Sequence, residues 1–266
     1  MKNSGALFGR PIDRLAHMNQ PAIDLYMNNG IDLTKEMLEI AVCAQHNNGG
    51  LDGNVWWESN LKHFFPVGEV NGTHGVYRPG GSALNSGQVG STRAAQFIAA
   101  RYKDQPMNEA EFLKEAEAQI RAKLELGQAF LQNLGSESNV VQIRRQIQER
   151  MTKAGAHIRS LTAAEQAAAE ALTQLQNLVE QTKISSPTEL RLCFQNYDLL
   201  ISQYVYLCAI KDYIERGGRS RGSYLVYDFE GELPLKQLPE QFRFTLTDDL
   251  EFDRQIQRVL YQNGSC

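Results

Sequence analysis

Apolar residues recur at helical spacing through much of the chain after Asn108. In the first such stretch most of them lie four residues apart, as far as the break at Gly135-Ser136. That spacing places them on one face of a helix. They are Phe112, Ala116, Ile120, Leu124 and Leu126. The pattern predicts a long helix over this part of the chain.

Three further helices are predicted before residue 218. One runs from about Asn139 to Arg159. The next follows Thr162, where the sequence Thr-Ala-Ala-Glu is typical of a capping box. The last begins at Ser186-Pro187, with a capping serine and proline in the first helical position, and ends at Gly217-Gly218. Because short connections join these helices, we expect a bundle in which neighbouring helices are antiparallel.

The first 44 residues are predicted to form short helices joined by turns. A helix is expected to start at Pro21, and Asn28-Asn29-Gly30 is expected to end it. Thr34 is positioned to cap a second helix that starts at Lys35.

Glycine is concentrated between His46 and Gly90, where ten of the 21 glycines fall. Within this part of the chain, His63–Val67 is predicted to be a strand that ends in a turn at Gly68. After a long glycine-rich loop, residues Ala83–Tyr102 are predicted to be helical. The order strand, loop, helix is typical of a small α/β unit.

Residues 224–266 have a mixed pattern. Residues 241–246 alternate apolar and polar side chains like a strand, and a short polar helix is expected over 248–254. The fold class that results is mainly α with a small α/β part, the helical bundle being the larger component.

Composition and charge exclude several classes of protein. With 27 basic and 31 acidic residues the net charge is −4, which gives no indication of a nucleic-acid interface. No apolar run approaches the length of a membrane span, and the N-terminal residues contain no secretory signal pattern. The four cysteines have no disulfide or zinc spacing, so we expect a cytoplasmic location and no metal site. Neither a G-x-G-x-x-G sequence nor a Walker loop is present.

The glycine-rich loop contains side chains suited to a polar ligand. Glu69 follows a strand-ending glycine, where its carboxylate can accept hydrogen bonds from the hydroxyls of a sugar or ribityl chain. Gly80-Gly81 permits close approach of a ligand to the backbone, just before the positive end of a helix. Arg78 presents a planar fork suited to a carboxylate. Taken singly, a Gly-Glu turn or an arginine near glycines is more often an ordinary surface feature.

Three motifs together resemble the succinate dehydrogenase/fumarate reductase flavoprotein family, to which L-aspartate oxidase belongs. The first is the run from Gly68-Glu69 through His74-Gly75-x-x-Arg78-x-Gly80-Gly81 to Leu84. The second, upstream, is Gln45-His46-Asn47-Asn48-Gly49-Gly50, and the third is the Ser220-Arg221-Gly222 sequence after the helices. The resemblance covers most of residues 40–225. The predicted helices lie between the run that ends at Leu84 and the Ser220-Arg221-Gly222 sequence.

The resemblance implies a role in an FAD-dependent oxidoreductase. By analogy with the family, Glu69 would hold the ribityl chain of FAD, and the backbone at Ala83 and Leu84 would face the pyrimidine edge of the flavin. Gly80, Gly81 and Ser82 complete the implied cofactor-binding set. Arg78 would hold the carboxylate of a small substrate, and the cofactor would exchange a hydride with that substrate.

The chain also departs from the family pattern. Alignment of Gly49-Gly50 on the family's glycine pair puts Gln45 at the position of a substrate-binding histidine, with His46 one residue away. Both are therefore substrate-binding candidates, and a changed substrate is the simpler interpretation. The family's nucleotide-binding half has no counterpart in residues 1–45, so weak or absent FAD binding is expected for the isolated chain.

The implied organisation is a C-terminal portion of such a flavoprotein. Residues 1–44 would be a remnant of the cap domain, 45–104 the C-terminal part of the FAD-binding domain, 105–223 the helical domain and 224–266 a mixed tail. Expected partners are the missing flavin-binding portion or an electron-transfer subunit. The alternative is a non-catalytic helical module for assembly or protein interaction, since helical bundles host unrelated functions.

Overall fold

The computed structural model describes residues 5, 7–39, 48–74, 82–221, 224–246 and 254–266. The chain divides into two units, Met1–His46 and Asn47–Cys266. In the first unit, helix α1 comprises Pro11–Asn28. In the second, the helices are α2 Ser82–Arg101, α3 Glu109–Leu131, α4 Val140–Gly155, α5 Leu161–Gln176, α6 Leu178–Gln181 and α7 Leu190–Glu215. The strands are β1 Ile158–Arg159 and β2 Leu225–Glu232.

Helix α1 begins ten residues before the predicted start. Pro11 occupies its first turn, and the Asp13 carboxylate accepts a hydrogen bond from the Arg10 amide at 2.8 Å. Pro21 lies inside the helix, and the helix is kinked two residues earlier, at Asn19. The kink is explained by the proline, because proline removes an intrahelical hydrogen bond. The predicted end is confirmed, with Gly30 in the left-handed conformation at φ +84°.

The second helix predicted for the first unit is wrong over its described residues. Residues 33–35 form a turn, and 36–39 have no regular structure. The Asp32 carboxylate accepts hydrogen bonds from the Thr34 amide at 3.0 Å and from its hydroxyl at 2.6 Å. The side chain of Asp32 therefore organises a local turn that competes with the helix.

The helices predicted after Asn108 are confirmed in type and approximate position. Asn108 caps α3 by accepting a hydrogen bond from the Glu111 amide at 3.0 Å. A capping box joins Ser186 and Glu189 before α7, and Gly217 follows that helix at φ +88°. Helix α5 is capped by Ser160 and not, as predicted, by Thr162. The Ser160 hydroxyl accepts a hydrogen bond from the Ala163 amide at 3.2 Å.

The core of the second unit lies where α4, α5 and α7 pack together. One apolar cluster comprises Phe130, Val140, Ile143, Ile147, Leu175, Leu178, Ile184, Cys193 and Leu200. A second comprises Ala154, Ala167, Ala168, Ala171, Tyr204 and Leu207. The small alanine side chains of α5 let its backbone approach α7 closely, and burial of both clusters supplies the main stabilisation of this unit.

Two short strands add a small parallel sheet to the helices. Ile158 pairs with Leu225 and Arg159 pairs with Val226. The sequence predicts neither strand. The strand predicted over 241–246 is confirmed only in its second half: residues 240–242 form a 3₁₀ turn, whereas Phe244 is extended and bridges Tyr227 and Glu232, and Leu246 bridges Ser220. The helix expected over 248–254 lies, apart from Arg254, outside the described residues. The prediction of a mainly α protein is confirmed. The small parallel sheet lies at Ile158–Arg159 and Leu225–Glu232, outside residues 46–102, where the α/β part was predicted.

Among the described residues, we find no helix that combines the length and the apolarity needed to cross a membrane.

Candidate functional site

The predicted flavin-binding turn forms a single 3₁₀ turn, Gly68–Val70. Gly68 adopts φ +76°, a left-handed conformation that a residue with a Cβ atom rarely takes. The turn closes with a hydrogen bond from the Asn71 amide to the Gly68 carbonyl at 3.3 Å. Glu69, at the centre of the turn, is exposed. The strand predicted before it is wrong, because residues 64–67 have no regular secondary structure.

Residues 50–53 run beside this turn. The Leu51 amide donates to the Val70 carbonyl at 2.8 Å, and the Gly72 amide donates to the Leu51 carbonyl at 3.1 Å. The two backbones are so close that a Cβ atom at Gly50 would overlap the Val70 carbonyl oxygen and lie 2.8 Å from the Asn71 carbonyl carbon. Only glycine fits at residue 50, and the position of Glu69 depends on this close approach.

The second turn of α2 lies against the same part of the chain. A Cβ atom at Gly87 would be 3.5 Å from Gly68 Cα, and the hydroxyls of Thr73 and Ser86 are 3.1 Å apart. In the first helical turn Ala83 is buried, Ser82 is half-buried and Leu84 is exposed. The fold therefore brings Glu69 and the start of α2 into one region, two features that the sequence separates by a long loop.

The remaining predicted site residues lie outside the part of the chain that the structure describes. These are Gln45, His46, Arg78, Gly80 and Gly81. Their assignment to substrate and cofactor binding stays a prediction from the sequence.

The loop before the turn is held on α2 by aromatic contacts. Arg93 donates a hydrogen bond from Nε to the Val55 carbonyl at 3.1 Å, and its guanidinium lies 4.8 Å from the centre of the Trp56 ring. Trp56 stacks on Phe97, with the ring centres 5.5 Å apart. These contacts fix residues 55–57 against the middle of α2, the helix whose second turn lies against Gly68.

A second tie joins Glu58 to the end of α2. The Tyr102 hydroxyl donates to the Glu58 carboxylate, which also accepts from the His63 amide at 3.3 Å. Mainly because of the tyrosine hydrogen bond, the pKa of Glu58 is lowered from its ordinary value. A carboxyl group with a lowered pKa stabilises the folded state above its unfolded pKa, and this stabilisation is lost as the pH falls through the folded value.

The Tyr102→Phe variant is expected to raise the pKa of Glu58 toward the ordinary range. The phenyl ring keeps the packing but donates no hydrogen bond to the carboxylate. An NMR titration of the glutamate side chains measures this shift. The melting temperature of the variant should fall below that of the native protein at neutral pH, with the difference shrinking in acid. An unchanged pKa would show that the hydroxyl does not stabilise the carboxylate.

Two buried donors near the turn were not found by sequence reasoning. Asn71, 2% exposed, has a side-chain nitrogen, Nδ2, with no hydrogen-bond partner among the described residues. The same holds for the indole nitrogen of Trp57. The sequence signal was weak: Asn71 follows the Gly-Glu pair by two residues, and asparagine in a turn usually has a local structural role.

The third family-like element lies at the small sheet. The hydroxyl of Ser220 is buried, where it accepts from the Val226 amide at 2.7 Å. Arg219 pairs with Asp228 of β2 at 3.1 Å. The Ser-Arg-Gly segment thus begins at the sheet, while its Gly222 lies outside the described residues.

Comparison with curated proteins finds similar sequences in three oxidoreductases. The chain is 41% identical over 70 residues to a fumarate reductase (CoM/CoB) subunit of Methanothermobacter marburgensis, which covers 26% of this chain and 13% of that protein. It is 42% identical over 65 residues to an uncharacterized FAD-dependent oxidoreductase of Methanocaldococcus jannaschii, which covers 24% of this chain and 12% of that protein. It is 34% identical over 86 residues to L-aspartate oxidase of Vibrio cholerae, which covers 32% of this chain and 16% of that protein.

These relatives confirm the resemblance to the succinate dehydrogenase/fumarate reductase flavoproteins. The matched segments cover less than a third of this chain and 12 to 16% of the relatives' own lengths. No family model matches the chain.

Proposed function

We propose that the chain contributes one edge of the FAD site in a flavin-dependent oxidoreductase of the fumarate reductase/aspartate oxidase kind. The observation that carries the proposal is the contact between the exposed Glu69 turn and Gly87 in the second turn of α2, one turn beyond the start of that helix. The names of three relatives support the same chemistry. They do not favour the alternative of a non-catalytic assembly module.

The described residues fit a flavin in two respects. The exposed Glu69 carboxylate is suited to accept hydrogen bonds from the hydroxyls of a ribityl chain. At Gly68 none of the described residues comes within 4 Å of the place a Cβ atom would take, so the backbone of the turn is open to a ligand there. An exposed carboxylate beside open backbone suits a cofactor rich in hydroxyl groups.

Each residue has a distinct part in the proposed reaction. FAD, when bound, supplies the hydride acceptor or donor. Glu69 binds and orients the ribityl chain, and the backbone of Ser82, Ala83 and Leu84 directs the positive end of α2 toward the flavin's pyrimidine edge. Gly80 and Gly81 permit that approach, while Arg78 holds a substrate carboxylate. Gln45 or His46 completes the substrate side.

The proposed organisation assigns residues 45–104 to the FAD-binding domain and 105–223 to an antiparallel helical bundle. The substrate is proposed to be a small carboxylate. One relative is named as a subunit, which supports partnership with an electron-transfer subunit. The remainder of the flavin-binding domain is the other partner that the FAD site requires.

The Glu69→Gln variant of the complete enzyme is expected to bind FAD about tenfold more weakly. A hydrogen bond to a charged group is worth about 1.5–3 kcal/mol, and about 1.4 kcal/mol corresponds to tenfold in affinity. Titration of the cofactor-free enzyme with FAD, followed by flavin fluorescence, measures the dissociation constant.

Glu125→Gln on α3 is the matched control, since this exposed carboxylate lies outside the proposed site. It should leave FAD affinity unchanged. A complete enzyme that binds no FAD would overturn the proposed function. Equal affinity in the Glu69→Gln variant and the native enzyme would overturn the role of Glu69.

A further inference from the structure

Two cysteines from distant parts of the second unit meet beside α7. Cys208 lies on α7 and is half-buried, whereas Cys266 is exposed and ends the segment 254–266, called here the C-terminal segment. Gln262 and Ser265 exchange backbone hydrogen bonds at 2.9 and 3.1 Å, which fixes the turn just before Cys266. The Cys266 thiol donates a hydrogen bond to the Cys208 sulfur. The fold, and no sequence motif, brings the two thiols into contact.

Tyr204 holds both cysteines in place. Its hydroxyl accepts a hydrogen bond from the Cys266 amide and donates one to the Cys208 thiol. Tyr204 and Cys208 lie four residues apart, so their side chains lie on the same face of α7. The backbone and the sulfur of Cys266 are therefore both fixed beside this face.

The C-terminal segment is docked on α7 by contacts that do not involve the cysteines. Gln257 donates from Nε2 to the Ala209 carbonyl at 2.9 Å and to the Asp212 carboxylate at 2.8 Å. The Tyr261 ring meets the Tyr204 ring edge-on, with the ring centres 6.1 Å apart. Tyr261 also packs against both apolar clusters of the core. The contact between the thiols thus has support from both ends of the segment.

We propose that Cys208 and Cys266 form a redox pair, which hydrogen peroxide oxidises to a disulfide that fastens the C-terminal segment to α7. Thiols already in contact need little more than side-chain rotation to bond, whereas cysteines held apart require movement of the backbone. The inference goes beyond the proposed function, because the pair lies on α7 and not among the residues proposed to bind FAD or substrate.

The oxidation consumes one molecule of peroxide in two steps. The Cys208 sulfur attacks peroxide, the O–O bond breaks, and a sulfenic acid and one water result. The Cys266 sulfur then attacks the Cys208 sulfur, the S–O bond breaks, and hydroxide leaves with the thiol proton as a second water. The first attack is assigned to Cys208 because burial, with the hydrogen bond to Cys208, raises the pKa of the Cys266 thiol above its ordinary value.

The test treats the reduced chain with hydrogen peroxide under native conditions and counts thiols by maleimide labelling after denaturation. Of the four cysteines, two should remain reactive. Mass spectrometry should find the protein lighter by two hydrogen atoms, with the peptides of Cys208 and Cys266 linked. The melting temperature should rise by about 5–10 °C, because a cross-link across a long loop restricts the unfolded chain. Dithiothreitol should reverse both changes.

Cys266→Ser removes the second thiol at an exposed position, so the variant should fold and form no cross-link. Peroxide should then add oxygen to Cys208, which appears as a gain in mass, and the melting temperature should not rise. Cys43→Ser, in the first unit, is the matched control. It should form the disulfide as the native chain does.

Three results would overturn the redox pair. They are a treated native chain that keeps all four thiols, a disulfide that includes Cys43 or Cys193, and a cross-link between two copies of the chain through Cys266. A Cys208–Cys266 disulfide that leaves the melting temperature unchanged would overturn the fastening of the C-terminal segment. Each readout is independent of FAD, so failure here is distinct from failure of the proposed function.

Discussion

Replacement of Arg150 by methionine is expected to reduce the free energy of unfolding by about 3 kcal/mol, among the largest effects of a single substitution in this chain. Arg150 lies on α4, with its side chain only 13% exposed. Its guanidinium donates to Gln203 at 2.7 Å and to Gln174 at 2.8 Å, and Nε lies 3.3 Å from a carboxylate oxygen of Glu170. One side chain thus joins α4 to both α5 and α7.

The expected loss follows from the acceptors that the substitution leaves behind. Gln174 and Gln203 are buried, and their nitrogens are already bonded, to Gln146 at 3.0 Å and to the Ile147 carbonyl at 2.6 Å. Without Arg150 their oxygens would have no donor in the described part of the chain, and each unsatisfied buried group costs about 1–3 kcal/mol. Methionine fills the volume of the lost side chain, so the loss measures the hydrogen bonds rather than a cavity.

Urea unfolding followed by circular dichroism measures this change. Arg145→Met on the same helix is the matched control, because Arg145 is exposed. The control should change the free energy of unfolding by no more than about 0.5 kcal/mol. Equal losses in the two variants would show that the buried network contributes nothing specific to stability.

Gly50→Ala is expected to weaken FAD binding by at least tenfold in the complete enzyme. The added methyl group would overlap the Val70 carbonyl oxygen, and this neighbour is backbone that cannot rotate away. Overpacking of this kind costs about 1–3 kcal/mol or more, and about 1.4 kcal/mol corresponds to tenfold in affinity. Relief of the overlap must separate residues 50–53 from the turn that positions Glu69.

The neighbouring glycine provides the control for this experiment. A Cβ atom at Gly49 would meet only an atom of the Tyr206 ring, at 3.9 Å, which is an ordinary contact. Gly49→Ala should therefore keep FAD affinity within about twofold of the native value, a small change on the scale of 1.4 kcal/mol per tenfold. Fluorescence titration measures both affinities. Equal FAD affinities in the two alanine variants would show that the site does not require the close backbone approach at Gly50.

Most helices of the second unit could be predicted because their signals are local. The Asn108 cap and the capping box at Ser186 fix the beginnings of α3 and of the turn before α7 through side chains within the same few residues. Gly217 ends α7 in the left-handed conformation. The one helix that was wrongly predicted in the first unit also has a local cause, since Asp32 organises a turn where a helix was predicted from Thr34 onward.

The strands were predicted poorly because a strand depends on its partner. Residues 241–246 alternate as a strand should, yet the longest strand of the fold is Leu225–Glu232. Its first residues pair in parallel with Ile158 and Arg159. That partner precedes α5 and α7 in the chain, so no short window of sequence contains the information that selects it.

The candidate site shows the same division between sequence and tertiary structure. The sequence alone determined that Glu69 follows a turn glycine, that a helix begins after the glycine-rich loop, and that these motifs resemble a flavoprotein family. Tertiary structure decided that the turn touches Gly87 and that Gly50 must lack a side chain. It also decided that the side-chain nitrogens of Asn71 and Trp57 are buried with no acceptor among the described residues. Helix caps and turns are set by atoms a few bonds apart along the chain. Burial and unsatisfied donors depend on which distant segments exclude water, and only the folded chain determines that.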